Sequence, residues 1–288
     1  MDGGALIHRV RWAKVTSFSK IATIHYDYIR KNYSNPKIVF DGYEHATTKD
    51  HERMRRNSIP QSSLTAIVPE NSVPYTQSRY FSLEANKKEF VKFLSGYLRS
   101  RGVCVVNCPG DADSEIVRIA INAASQNVGT TAVVADIAVM LLYHHSNEMD
   151  NIVLIQPLSD SMWSVKRCQD HIVDIKPHLL FIHAFSGCDT TSSIFDKGKK
   201  FAVSQIRKSK ALRECSKIFN SVVSTSDEVS TAAIKAFKIF YGAPITQPLE
   251  KARYNKFMEL ANKGIIVPEK LPPTEDAAHY HGSRVHLQ

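Results

Sequence analysis

The sequence lacks any hydrophobic run long enough to cross a bilayer, and it lacks a secretory leader. Its longest apolar stretches are IAVMLLYHH and HLLFIHAF, whereas a transmembrane helix needs about 20 apolar residues. The opening segment, MDGGALIHRVRW, places an acid at position 2 and has no basic-then-apolar order. We therefore expect no contact with a membrane and a location inside the cell, in the nucleus or the cytoplasm.

Cysteine is scarce, with five residues in 288, at positions 104, 108, 168, 188 and 215. Cys104 and Cys108 lie four apart, but no second pair follows at zinc-ribbon spacing. This arrangement disfavours a structural zinc site, and the odd number disfavours a disulfide framework. A reducing compartment agrees with this use of cysteine.

Acidic residues are the minority charge. The 28 Asp and Glu residues face 37 Lys and Arg residues, which gives a net charge of +9. A basic surplus favours anionic partners, nucleic acid first, although a mildly basic protein need not bind any. The length allows one large domain, or one domain with an appendage.

Strand and helix patterns alternate along the first half of the chain. Apolar runs that read as strands lie at 38–40, 103–107, 131–136 and 151–156, and helical spacing is seen at 17–31 and 82–102 with Ser17 and Ser82 as caps. A charged helix is expected at 44–57, and the segment from 190 to 262 reads as helical and lysine-rich. The alternation predicts an α/β fold with a central, mostly parallel sheet flanked by helices.

Carboxylates follow the predicted strands. Asp41 ends the KIVF run, Asp111 and Asp113 follow VCVVN, Asp136 ends TAVV, and Asp189 follows the apolar segment ending in FIHAFSG. Asp2 precedes the apolar segment at the start of the chain. In a parallel sheet such residues meet at one edge, where their repulsion is relieved by hard cations such as Mg²⁺ or Mn²⁺. Singly, each acid has a plainer explanation as a turn residue or a helix cap.

Cys188 lies directly before Asp189, and His183 lies on the apolar segment upstream. We expect Cys188 to be a buried, inert thiol, because the sequence places no His–acid pair close to it. His183 is expected to be a core histidine.

The order of these acids resembles the PIN-like nucleases of the flap endonuclease/XPG type, and most closely a set of transposon-associated animal proteins with a PIN-like domain. The segments that carry the resemblance are VFDGY, GDADSE, VVADIAVMLL, HAFSGCDTTSSIFDKGK and LPPTEDAAHYH. The resemblance implies a metal-dependent nuclease of DNA or RNA, with one or two Mg²⁺ or Mn²⁺ ions held by Asp2, Asp41, Asp111, Asp113, Asp136 and Asp189. It also implies a nuclease core at 1–189, a helical region with a helix–turn–helix-like element at 190–262, and a Pro-punctuated tail at 263–288.

The resemblance further implies two groups of nucleic-acid contacts. The first is a basic helix with Arg53, Arg55 and Arg56. The second is the element that grips the nucleic-acid backbone, with Lys197, Lys199, Lys200, Arg207 and Lys208. Guanidinium forks suit phosphate oxygens, but a solvated helix face would also explain Arg53–Arg56. Gly198 is the sole glycine in its segment, so the double-glycine hairpin of flap endonucleases is weak here.

Two departures from the family pattern leave alternatives open. Val134 stands where the first acid of an Asp-x-Asp step is expected, which would impair hydrolysis. Asp2 should follow a central strand, so we expect the first strand of the sheet to be missing. A catalytically degenerate module that binds nucleic acid or a protein without cleavage is one alternative. A relic of a mobile element without activity is another.

Overall fold

The computed structural model describes residues 1–12, 16–42, 63–126, 129, 131–134, 137–156, 161–188, 190–264 and 267–288. Within these ranges the fold is mixed α/β with a majority of helix, which confirms the predicted class. The chain divides into two compact units, Met1–Cys168 and Gln169–Gln288. This division lies upstream of residue 189, where the sequence predicted the end of the first domain.

The first unit contains short strands joined by helices. Its helices are α1 Gly3–Arg9, α2 Phe18–Asn32, α3 Gln77–Tyr80, α4 Glu84–Ser100, α5 Ala112–Ser125 and α6 Ala138–His144, with α7 Val165–Gln169 at the boundary. Its strands are β1 Lys37–Phe40, β2 Cys104–Asn107, β3 Thr131–Val134, β4 Ile152–Ile155 and β5 Met162–Ser164. The four predicted strands correspond to β1–β4. The expected helix at 44–57 lies outside the described residues.

Within the described residues the strands form two small sheets, and not the single central sheet that the alternation predicts. β1 pairs in parallel with β2, and β3 pairs in parallel with β4. β5 runs antiparallel to β4. The sequence did not predict β5, because it has only three residues and exposes Met162 and Trp163.

β1 is buried on both faces, which explains why KIVF is a continuous apolar run. Ile38 and Phe40 join the hydrophobic cluster formed with α1, α2 and α4. Val39 points the opposite way, into the cluster of α5, α6, β3 and β4. The end of β1 is thereby fixed between two packed layers, and the residue that follows it is held in place.

The predicted helix caps are confirmed in one case and wrong in another. Ser17 caps α2, its hydroxyl accepting a hydrogen bond from the backbone N–H of Lys20 at 3.3 Å. Ser82 does not cap α4. Its hydroxyl instead donates to the carbonyl oxygen of Arg79 at 2.7 Å, and Leu83 occupies the N-cap position.

All regular secondary structure in the described residues of the second unit is helical, in agreement with the prediction for 190–262. Its helices are α8 Leu179–Phe185, α9 Lys199–Lys208, α10 Lys210–Phe219, α11 Ser226–Phe240, α12 Leu249–Asn262 and α13 Glu275–Leu287, with 3₁₀ turns at Lys176–His178 and Pro268–Lys270. Phe185 lies at the centre of the core, its ring 4.9 Å from that of Phe181 and 4.9 Å from that of Phe237. Among the helices in the described ranges, none has the length and apolarity needed to cross a bilayer.

The expectation that Asp189 follows a strand is wrong. The apolar segment before Asp189 is the helix α8, so Asp189 follows a helix and not a strand. Leu179, Ile182 and Phe185 recur every three residues and are buried on one face, a spacing that favours a helix over a strand.

Candidate functional site

Four of the predicted acids lie at the carboxyl end of the β1–β2 pair, and we call this set the acidic edge: Asp2, Asp41, Asp111 and Asp113. Asp2 forms a parallel bridge with Val39 in β1. The backbone N–H of Val39 donates to the carbonyl oxygen of Met1 at 2.9 Å. Residues 1–2 therefore extend along β1 as a strand neighbour would, and Asp2 lies beside the end of β1.

Asp41 directly follows β1 and links it to the start of α5. Its Oδ1 accepts a hydrogen bond from the backbone N–H of Ala112 at 2.9 Å. The next residue, Gly42, donates its N–H to the carbonyl oxygen of Gly110 at 2.7 Å. A Cβ at Gly42 would overlap the carbonyl group of Pro109, so the Asp-Gly step allows the two loops to approach closely.

Asp111 and Asp113 begin α5. Asp111 is the N-cap residue, and its Oδ1 accepts from the backbone N–H of Asp113 at 3.0 Å. The positive end of the helix dipole favours carboxylates at this place. Because Ala112, between them, donates to Asp41, the start of α5 and the end of β1 share one edge.

Burial and a neighbouring acid both act on the Asp2 carboxyl. Burial raises the pKa of the Asp2 carboxyl, the backbone N–H of Gly4 at 2.7 Å opposes that rise, and the charge of Asp41 adds to it. The pKa of the Cys108 thiol is also raised, first by burial and then by Glu115, Asp41 and Asp111. The edge is therefore a region of negative potential.

The described residues do not by themselves form a dedicated metal cage. Within those ranges, no group of three or more His, Cys, Asp or Glu residues is placed to hold a metal ion. Asp136 and Asp189 lie outside the described residues, and so does the side chain of Val134. What the edge offers is a pair of interacting carboxylates, Asp2 and Asp41, with Asp111 and Asp113 at the neighbouring helix start.

Helix capping explains part of this arrangement. Asp2 caps α1 and Asp111 caps α5, each through Oδ1. The plainer interpretation as a cap is therefore confirmed for Asp111, whereas the capping role of Asp2 emerges only from the structure. Capping alone does not require two caps and Asp41 at one edge, where the charge of Asp41 adds to the rise in the pKa of Asp2.

The predicted nucleic-acid contacts fall into different environments. Arg53, Arg55 and Arg56 lie outside the described residues. Lys199 donates its ammonium to the carbonyl oxygen of Gly187 at 2.9 Å. The Arg207 guanidinium pairs with Asp174, Nε to Oδ2 at 2.8 Å.

Lys200 and Lys208, the remaining lysines of α9, are exposed. Lys197 lies just before α9 and is half-buried. The basic element therefore presents exposed lysines, while two of its charged groups already have partners within the chain.

Cys188 is half-buried, and its sulfur lies 3.2 Å from the hydroxyl oxygens of Thr190 and Thr191. Burial raises its pKa, but hydrogen bonds from His183, Thr190 and Thr191 outweigh burial and bring the pKa to about 6. The hydroxyl of Thr191 donates to the carbonyl oxygen of Ala184 at 2.6 Å.

The turn that follows α8 reverses the chain at Gly187. Gly187 has φ 104°, a left-handed conformation that favours glycine. A Cβ there would lie 2.5 Å from the Cα of Ser193. The glycine of the Gly-Cys-Asp step is thus required by a tight reversal, which the sequence alone does not reveal.

In comparisons with known proteins, no protein-family model and no curated protein sequence matches the chain. Function is therefore inferred from the residues of this chain and from the chemistry that they can perform.

Proposed function

We propose that the chain is a metal-dependent nuclease that hydrolyses phosphodiester bonds of DNA or RNA at the acidic edge. The observation that carries this proposal is the parallel bridge between Asp2 and Val39, which puts Asp2 beside Asp41. Two interacting carboxylates at the carboxyl end of parallel strands lie where α/β proteins place their ligand sites.

The donor set suits a hard divalent cation in part. Mg²⁺ usually keeps several waters and is bound through one or two carboxylates together with substrate phosphates. Asp2 and Asp41 would supply these carboxylates, with Asp113 and the acids at 136 and 189 as further ligands. A bound Mg²⁺ or Mn²⁺ supplies an activated water and stabilises the charge that develops during hydrolysis.

The chain's own residues would orient the site. The backbone N–H of Ala112 fixes the Asp41 carboxylate by holding Oδ1. The N–H of Gly4 fixes Asp2 in the same way. Such fixation favours catalysis because it reduces the reorganisation needed when substrate binds.

The surplus of positive charge supports an anionic polymer as substrate. The net charge is +9, and Lys200 and Lys208 are exposed on α9. Exposed lysines of this kind contact phosphates without reading sequence.

The test uses end-labelled single-stranded and duplex oligonucleotides of DNA and RNA with Mg²⁺ or Mn²⁺. We expect cleavage that stops in chelator and falls by about a hundredfold in Asp41→Asn and in Asp113→Asn. Asp41→Asn keeps an acceptor oxygen for Ala112 and removes the charge. Asp27→Asn, an exposed acid on α2, is the matched control. Cleavage that survives chelator or Asp41→Asn would exclude the proposal.

A second candidate function is a binding module that has lost cleavage. Val134 supports it, since this residue ends β3 where the resembled family has an acid. Nucleic acid would then bind without metal-dependent hydrolysis. Val134→Asp tests this: a gain of cleavage indicates an impaired nuclease, whereas unchanged binding with no gain favours the module.

A further inference from the structure

The second unit contains a cavity of about 420 Å³. It is lined by the turn before α9, the end of α11, one face of α12 and the 3₁₀ turn Pro268–Lys270. Its size falls within the range of small-molecule sites, about 300–1,000 Å³. Because all its lining residues belong to one compact unit, the cavity does not depend on the acidic edge.

Four lysines and two carboxylates line this space, which we call the lysine cavity: Lys197, Lys256, Lys263, Lys270, Asp196 and Glu259. Glu259 accepts from Lys256 at 2.8 Å and from Lys263 at 2.8 Å. These partners lower the Glu259 pKa to about 2, so the carboxylate stays ionised. Even so, the lining has a surplus of positive charge.

Lys197 is the most constrained cation of the set. Its Nζ lies 4.5 Å from the centre of the Phe201 ring and 4.8 Å from that of Tyr241. Burial and the charge of Lys256 both lower its pKa. In the described part of the chain, no carboxylate or carbonyl oxygen accepts a hydrogen bond from its ammonium, so an anion would satisfy it.

Aromatic surface accompanies the charge. Phe195 lines the cavity with 44% of its surface exposed, and Tyr241 lines it beside Lys197. Asp196, which lies between Phe195 and Lys197 in the chain and also lines the cavity, has φ 56°, a conformation that Asp tolerates better than most residues. Flat rings next to ammonium groups suit a ligand with both a planar ring and a phosphate.

We propose that the lysine cavity binds a nucleoside phosphate, with Lys197 and Lys270 at the phosphate and Phe195 at the base. The ligand is a free nucleotide or the terminal nucleotide of a strand. The inference goes beyond the nuclease proposal and remains valid if no cleavage occurs.

The test is calorimetric titration of the full chain with adenosine 5′-monophosphate, inorganic phosphate and adenosine. We expect the nucleotide to bind at least about tenfold more tightly than either part. Lys197→Gln and Lys270→Gln should each weaken nucleotide binding by about tenfold, the effect of losing one charge-assisted hydrogen bond. Phe195→Ala should weaken the nucleotide but not inorganic phosphate.

Lys251→Gln is the matched control. Lys251 is also a lysine of the second unit and lies 4.9 Å from the ring of Tyr254, yet it does not line the cavity. Nucleotide affinity should stay unchanged in this variant. Lys197→Gln also removes contacts of the ammonium with two rings and could lower the stability of the fold. Lys270→Gln then tests the proposal independently.

Competition with oligonucleotides separates the two sources of the ligand. If the terminal nucleotide is the ligand, a 5′-phosphorylated oligonucleotide displaces the mononucleotide and its 5′-hydroxyl counterpart does not. If the ligand is a free nucleotide, neither displaces it. The proposal is overturned if the mononucleotide does not bind at millimolar concentration, or if Lys251→Gln weakens binding as much as Lys197→Gln.

Discussion

The acidic edge of the first unit and the lysine cavity of the second gather charges of opposite sign in different ways. At the acidic edge, backbone N–H groups hold Asp2, Asp41 and Asp111. In the lysine cavity, side chains hold one another: Glu259 lies between two lysines, and Lys197 lies over two rings.

This difference predicts how each site responds to change. Backbone-held carboxylates depend on close loop approach, so a small steric change should disturb the whole edge. In the lysine cavity, neighbouring side chains partly neutralise the charge of the lysines. A change there should therefore alter the affinity for anions more than the stability of the fold.

The largest effect is expected from Gly42→Ala. The added Cβ would overlap the carbonyl group of Pro109, which is backbone and cannot turn away. We expect a loss of about 2 kcal/mol in the free energy of unfolding, typical of overpacking. Denaturant titration measures it. Gly110→Ala in the facing loop is the control, since no atom lies within 4 Å of its added Cβ; an equal loss there would contradict the steric explanation.

A smaller effect is expected from Asp41→Ala. The variant leaves the N–H of Ala112 without its acceptor at the start of α5, which should cost about 1 kcal/mol. Asp41→Asn keeps an acceptor and should lose less. Thermal melts of both variants separate the contribution of the hydrogen bond from that of the charge. Equal losses of stability in the two variants would show that the charge of Asp41, and not its hydrogen bond to Ala112, is responsible.

The pH dependence of Asp2 should be detectable next. Its folded-state pKa is raised above 3.8, mainly by burial, so the folded state binds more protons than the unfolded state in the window above that value. Stability therefore falls as the pH rises through that window. Asp2→Asn should lack this fall. The melting temperature of the variant minus that of the wild type should therefore increase from about pH 3 to pH 7.

Divalent cation offers a check on the same variant. If Mg²⁺ binds the edge, it should raise the melting temperature of the wild type at neutral pH more than that of Asp2→Asn. Asp27→Asn should behave as the wild type does. In the pH experiment, a difference in melting temperature between the wild type and Asp2→Asn that stays the same at every pH would contradict the raised pKa of Asp2.

The smallest effect on stability is expected from Glu259→Gln in the lysine cavity. Glu259 is exposed and its ion pairs are at the surface, so the melting temperature should change little. Removing its charge frees Lys256 and Lys263, and affinity for inorganic phosphate should rise severalfold and fall again with salt. Glu214→Gln, which removes the surface partner of Lys217, should leave phosphate affinity unchanged.

Local patterns explain what could be predicted. β1 was predictable because Ile38, Val39 and Phe40 are all apolar, and α2 because its capping serine precedes a helical repeat. The helix α8 was mistaken for a strand end because short apolar runs fit either structure. Its helical form follows from burial of Leu179, Ile182 and Phe185 on one face, which depends on the helices around it.

By itself the sequence determined the mixed α/β class, the helical second half and the placement of Asp41, Asp111 and Asp113 after strands. These properties follow from periodicity, which acts over a few residues. Only the tertiary structure decided that Asp2 lies beside β1, that Gly187 approaches Ser193 in a tight reversal, and that lysines from three separate segments line one cavity. Such contacts join residues far apart in the chain or across a tight reversal, and their distances are set by packing and not by local pattern.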